Sequence, residues 1–195
     1  MKILVVNNES SHSQELVVAC RHNGRHEVTQ VNWHELPNTE IDKHDVIVLS
    51  GSSSYSVRTR KKVYEFQKKI IKDAQMPVIG ICAGFQLICD AFEIPLQKSP
   101  KLISGIFRLT PIANDPIFEI GREYMVYEWH KIYTTSVHYP LVPLATTNGN
   151  IAVLKHNNAA IYGLQFHPEV RKYGSNGLLI LHEVLAQIAM AKNTT

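Results

Sequence analysis

The chain has 195 residues, of which 45% are hydrophobic and 19% charged, with a net charge of +3. That length suits one domain spanning residues 1–195 with its own core, and so small a positive charge gives no footing for nucleic-acid binding. No apolar run reaches the roughly 18 residues of a membrane span, so neither nucleic acid nor membrane is expected as a partner.

In chain order, Lys2 to Asn7 reads as a first strand, and Met1 to Val6 lacks the small-residue cleavage site of a secretion signal. Gln14 to Arg21 carries Leu16, Val17 and Cys20 at helical spacing, and Asn23-Gly24 stops it. His26 to Trp33 alternates as a second strand. Asp45 to Leu49 is a third, running into the loop Ser50–Ser54. Arg58 to Ala74 is a helix with Val63, Phe66, Ile70 and Ala74 expected inward. Arg58, Arg60, Lys61, Lys62, Lys68, Lys69 and Lys72 make it basic, either as a solvated face or as a docking surface for an acidic partner. Met76 to Ile79 is a fourth strand.

Beyond Pro95 the pattern changes. Leu102 to Thr110 and Glu123 to Trp129 read as strands. Leu144-Ala145-Thr146 and Ile151 to Leu154 form a hairpin about Asn148-Gly149. After a turn at His156-Asn157-Asn158, Ile161 to Phe166 completes an antiparallel section. Gly177 to Ala191 closes the chain as a helix with Leu178, Leu181, Val184, Leu185 and Ile188 inward. Strands alternating with helices predict an α/β fold: a doubly wound, mostly parallel sheet with helices on both faces, followed by antiparallel strands.

The three cysteines, Cys20, Cys82 and Cys89, form no Cys-x-x-Cys pair and no even framework. A reducing compartment, the cytoplasm, is therefore expected. His22 and His26 lie four apart, but Gly24 between them weakens a helix, so no metal site and no cofactor is expected.

Gly80-Ile81-Cys82-Ala83-Gly84-Phe85-Gln86 follows the fourth strand and precedes the helical run Leu87 to Phe92. A cysteine between glycines at a strand-to-helix turn has the form of a nucleophile elbow. The helix that follows would aim free N–H groups and its positive end at the sulfur, favouring thiolate. Taken alone, the stretch fits a small buried structural thiol equally well. A nucleophilic cysteine needs a base, and the base an orienting group. Tyr162-Gly163-Leu164-Gln165-Phe166-His167-Pro168-Glu169 offers both. His167 and Glu169, two apart, share one face of an extended segment, and Pro168 marks a strand end or edge.

Gly-x-Cys-x-Gly-x-Gln followed by Gln-Phe-His-Pro-Glu resembles the signature of the class I, triad-type glutamine amidotransferases, which share a flavodoxin-like fold. Ile161 to Val170 is most similar to the amidotransferase half of GMP synthase. The resemblance implies that Cys82 attacks the glutamine carboxamide, His167 carries the proton to departing ammonia, and Glu169 holds the imidazole. A γ-glutamyl thioester would form and be hydrolysed. It implies oxyanion donors at Ala83 and in the Gly51–Ser52 region, where the family has Gly-Gly-Pro after Leu-Ser. Here Ser52 departs from that pattern, and a serine would resist the positive φ that glycine adopts. Gln86 matches a substrate-contacting glutamine. Glu128 to Ile132 matches a segment that meets the amino-acid end of glutamine, which makes Trp129, His130 and Lys131 candidate substrate contacts. Lys131 stands where the family has glycine.

The reading that follows is an ammonia-releasing glutaminase for purine nucleotide biosynthesis. It would serve a separate synthetase, such as the ATP-binding component of a GMP synthase. No Gly-x-x-x-x-Gly-Lys-Ser/Thr loop is present, so ATP chemistry would belong to that partner. Two alternatives stand beside it: a free-standing γ-glutamyl hydrolase, and a catalytically weak regulatory or binding component.

Overall fold

The computed structural model describes residues 1–54, 56–57, 61–119, 121–172 and 174–192. Strands β1 (Lys2–Asn7), β2 (Glu27–Asn32), β3 (Val46–Leu49) and β4 (Val78–Ile81) come first. Helix α1 (Ser13–Arg21) follows β1, α2 (Lys61–Asp73) follows β3 and α3 (Ala83–Ala91) follows β4, while two short 3-10 turns join β2 to β3. Then follow β5 (Gln97–Pro111), β6 (Tyr124–Tyr133), β7 (Leu141–Thr147), β8 (Asn150–His156), β9 (Ile161–Leu164) and the closing helix α4 (Gly177–Lys192). They build a nine-stranded sheet in the order β2-β1-β3-β4-β9-β8-β7-β5-β6. No helix among the described residues is long and apolar enough to cross a membrane.

The strand period of two divides the core between two layers. From β1, Ile3 and Val5 pack with Leu16 of α1 and Leu181 of α4. Leu4 and Val6 turn to the other face, with Tyr64 of α2 and Phe85 of α3. Both faces are thus covered, which is why the central strands read as continuous apolar runs.

The fold follows the expected α/β plan, and three details refine it. First, β9 belongs to both halves of the sheet: it pairs parallel with β4 and antiparallel with β8. The antiparallel section therefore returns the chain to the edge of β4 itself. Second, α2 buries Tyr64, Gln67, Ile70 and Ile71, while Val63, Phe66 and, just past the helix, Ala74 are half-buried against the same cluster. Polar Gln67 anchors this face through a reciprocal pair with Asn8, at 3.1 and 2.7 Å, and apolar periodicity could not see it. Arg58 and Arg60 of the basic run lie outside the described residues. Of the remainder, Lys68 pairs with Asp90 of α3 at 2.5 Å, while Lys62, Lys69 and Lys72 are exposed. Third, the strands past Pro95 run longer than their apolar cores, β5 extending from Gln97 to Pro111 with an irregular register between Lys98 and Ile103. The turn expected at Asn148-Gly149 is present, both residues having positive φ (47° and 81°) as a tight hairpin requires.

The β4–α3 turn is the tightest point of the fold. A Cβ on Gly84 would overlap the backbone carbonyl of Leu49, and one on Gly80 would overlap the carbonyl of Gly84. Gly163, level with Gly80 in the parallel register, leaves room for Phe85, whose ring would stand 2.8 Å from an added Cβ. Gly84→Ala should therefore cost roughly 1–3 kcal/mol or more through forced separation of α3 from β3. Urea unfolding measures this, and an unchanged midpoint would contradict the packing described.

Candidate active site

Cys82 sits between β4 and α3 with φ 50° and ψ −97°, a region that non-glycine residues rarely enter and that is typically held by surrounding structure at functional sites. Its own N–H donates to the Leu164 carbonyl at 2.8 Å, and its carbonyl accepts from Gln86 N at 3.0 Å. The cysteine is thus fixed to β9 on one side and to the first turn of α3 on the other. Ala83 opens that helix, so its N–H has no partner within it.

Beyond the end of β9, the His167 N–H donates to the Tyr127 carbonyl of β6 at 2.8 Å. The His167 Nδ1–H donates to Glu169 Oε1 at 2.8 Å, both side chains being buried. The pair forms differently from the extended segment expected. Residues 168 and 169 are in a turn, closed by Val170 N donating to the His167 carbonyl at 3.3 Å. Pro168, lacking an N–H, leaves no donor unsatisfied there.

Burial works against charge on His167. The negative charge and hydrogen bond of Cys82 and those of Glu169 oppose this and hold the imidazole well above the ordinary histidine range. Cys20 and Cys89 behave differently. Burial pushes both thiols up, and the Glu169 carboxylate pushes Cys20 further. Cys82, although only 6% exposed, faces a cleft of about 690 Å³ that His167, Ala83 and Gln86 also line.

Gly51 abuts this pair. A Cβ there would stand 3.1 Å from His167 Cε1 and 3.5 Å from Cys82 Cβ. Ser52 lines the cleft and is not among the residues with positive φ, so serine brings none of the left-handed strain expected. Gln86 is buried, its Nε2 donating to the Ile132 carbonyl at 3.4 Å. The strand Trp129–Ile132 borders the cleft through its backbone, the Trp129 carbonyl lying 3.9 Å from Cys82 Sγ. Its side chains alternate. Trp129 is 54% exposed and Lys131 is also exposed, whereas His130 turns inward, 3.3 Å from the buried Glu128, which accepts from Thr147 Oγ1 at 2.6 Å.

Sequence reasoning missed the loop after β1. Ser10, Ser11 and His12 line the cleft, and the His12 ring stands edge-on to His167 at 6.1 Å between centroids. Ser53 Oγ accepts from Ser11 N at 3.2 Å and Ser53 N donates to the Glu9 carbonyl at 3.1 Å, tying this loop to the one after β3. The signal was topological: β1 neighbours β3, so their carboxyl-end loops meet, where sites in such sheets lie. Among the described residues no group of three or more His, Cys, Asp and Glu is placed to hold a metal ion.

The charge on His167 gives a test. In Cys82→Ala the burial remains and the principal favourable charge is removed. His167 should then titrate at lower pH than in the unaltered chain, measured by NMR of its ring protons. Because its folded value is raised, the stability tied to this group is present below the ordinary histidine range. It is lost as pH rises through the raised value, and the variant should lose it at lower pH. An identical titration in both proteins would mean that the sulfur does not act on the ring.

Residues 4–185 match the family model for the class-I glutamine amidotransferases. Anthranilate synthase component 2 of Saccharolobus solfataricus is 30% identical over 99 residues, which cover 48% of this chain and 51% of that protein; the match thus spans about half the length of that relative. One of the subunits of the glutamine-hydrolysing GMP synthase of Methanothermobacter thermautotrophicus is 26% identical over 174 residues, 86% of this chain and 88% of the relative. A candidate GMP synthase component from Thermoplasma acidophilum superposes with a TM-score of 0.86 at 24% identity, over 100% of this chain and 96% of that one, a likeness of fold. With the family pattern running through almost the entire length, the chain belongs to the class-I glutamine amidotransferase family.

Proposed function

We propose that this chain is the glutaminase component of an amidotransferase, releasing ammonia from glutamine through Cys82, His167 and Glu169. The observation that carries the proposal is the elbow cysteine facing an open cleft beside an imidazole bonded to a buried carboxylate at 2.8 Å. Cys82 Sγ attacks the carboxamide carbon as the thiolate. The tetrahedral oxyanion is held by the Ala83 N–H and by a donor from the Gly51–Ser52 peptide region; losing one such donor typically costs about 10²–10³ in rate. The intermediate collapses, the C–N bond breaks, and His167 passes its proton to the leaving ammonia. Water, deprotonated by His167, then cleaves the γ-glutamyl thioester to glutamate and the free thiol. Glu169 keeps the proton on Nδ1, so that Nε2 serves the reaction, and stabilises the imidazolium. Gln86 and the backbone of Trp129–Lys131 bind the amino-acid end of the substrate.

The ammonia acceptor would be bound by a separate synthetase. Similarity to a GMP synthase component over 86% of this chain supports a purine synthetase, while that to an anthranilate synthase component keeps other acceptors in play.

Glutamine hydrolysis by the purified chain is the direct test. Cys82→Ala should abolish it. His167→Ala should approach the same loss, and Glu169→Gln should lose less, because the amide keeps the shape without the charge. A glutamine-like chloroketone should alkylate Cys82 and spare Cys20 and Cys89, since burial holds those two thiols protonated. Activity surviving in Cys82→Ala, or label spread over all three thiols, would defeat the assignment. A chain that hydrolyses a γ-glutamyl anilide far faster than glutamine would favour the hydrolase alternative.

A further inference from the structure

A second cavity, of about 670 Å³, lies between α1, the segment after His167, and α4. We infer that this groove is an oxyanion site built for a phosphate group, and that it takes up protons as it binds. It goes beyond the proposed thiol chemistry: His167 lines the catalytic cleft, and Pro168 and Val170 to Lys172 line the groove.

The polar lining is made of groups that can donate. His22, Asn23, Arg171, Lys172, Ser175 and His182 supply it, and no carboxylate is present among the described lining residues. Val18 and Leu178 add apolar wall. A volume in this range suits a small organic ligand. Two imidazoles meet within it. The rings of His22 and His182 stack at 3.6 Å between centroids, 15° from parallel. The His182 Nε2–H donates to the Ala19 carbonyl of α1 at 3.0 Å, which fixes the ring against that helix. His22 terminates α1 in the left-handed conformation, with φ 45°.

This arrangement concentrates groups able to gain positive charge. His22, His26 and His182 all titrate below the ordinary histidine range, burial coming first for each. Arg25 adds to the effect on His22, and the N-terminal ammonium, His22 and Arg25 add to it on His26. The other imidazoles and Arg171 lower His182 further, against the Ala19 carbonyl, which favours its charge. Glu183 of α4 is the carboxylate that favours charge on His22. The Lys172 ammonium stands over the Tyr127 ring, 5.8 Å from its centroid, between the groove and the catalytic cleft that Tyr127 lines. Protonating a stacked imidazole converts its acceptor nitrogen into a second donor but sets like charges face to face. A dianion among them removes that repulsion and accepts the new N–H groups, so anion and proton bind together. Arg171 supplies the planar fork suited to phosphate oxygens.

The test titrates the intact chain with sulfate, inorganic phosphate and a nucleoside monophosphate, reading the histidine rings by ¹H–¹⁵N NMR. Sulfate keeps its charge between pH 6 and 8 and so isolates the protein's own proton. The ring signals of His22 and His182 should shift saturably, with those of His130 in the catalytic cleft unmoved. Sulfate affinity should fall as pH rises, by up to about tenfold per pH unit for one linked proton. Tighter binding of the nucleoside monophosphate than of phosphate would identify a nucleotide as the source of the group; equal binding would identify the free anion. The double variant Arg171→Gln/Lys172→Gln alters segment-surface side chains and should lose binding by about tenfold or more. His182→Gln can still donate to the Ala19 carbonyl, and should bind sulfate with a weaker pH dependence. The proposal is overturned if neither phosphate nor the nucleotide gives a saturable shift. It is equally overturned if the double variant binds as well as the unaltered chain, or if sulfate affinity is the same at pH 6 and pH 8. None of these readouts requires turnover, so failure here and failure of the glutaminase reading are distinguishable.

Discussion

The close approach of α3 to the ends of β3 and β4 is the constraint from which the site follows. Gly84 rests against the Leu49 carbonyl, and Gly80 against that of Gly84. With no room for side chains at either position, the chain must leave β4 and enter the helix within one residue. That residue is Cys82, held at a φ that costs energy for anything but glycine. The strain is retained because two backbone hydrogen bonds and the packing of Phe85 and Ile88 over-determine the turn. The sulfur is thereby raised out of the sheet into the cleft.

Sheet topology brings His167 to the end of β4 where Cys82 sits. β9 lies between β4 and β8, parallel to one and antiparallel to the other, so the antiparallel excursion ends beside the elbow. Gly163 faces Gly80 across that pairing, and β6 fixes His167 through the Tyr127 carbonyl. The loops above the sheet are joined by polar contacts buried beneath them. The Asn8 N–H donates to Ser50 Oγ at 2.9 Å, and its side chain pairs with Gln67 of α2. A buried polar group of this kind must be satisfied, or it costs about 1–3 kcal/mol. Such a network sets loop positions that apolar packing alone would leave free.

Electrostatics and exposure separate the three thiols. Burial keeps Cys20 and Cys89 protonated. Cys82 opens on the cleft and faces an imidazole whose charge it sustains. Glu169 acts in both places, oriented on His167 at 2.8 Å and raising Cys20 from behind. One buried carboxylate thus favours charge on the His167 imidazole and disfavours ionisation of the Cys20 thiol.

Local pattern determined much of this protein. Glycines two residues either side of Cys82 announced the turn, because steric exclusion at such a turn depends only on near neighbours. Apolar runs located β1, β3 and β4, and Asn148-Gly149 located the hairpin, since positive φ is a property of single residues. His167 and Glu169 could be paired from their spacing, though a turn about Pro168, not an extended strand, brings them together. Tertiary structure decided the rest. The parallel partner of β9, the buried face of α2 set by Gln67, and the β1 loop bringing His12 to 6.1 Å from His167 all depend on contacts between distant segments. So does the stacking of His22 on His182, which lie near opposite ends of the chain. Side-chain periodicity records which residues are buried, but not against what; only the folded sheet supplies the neighbour.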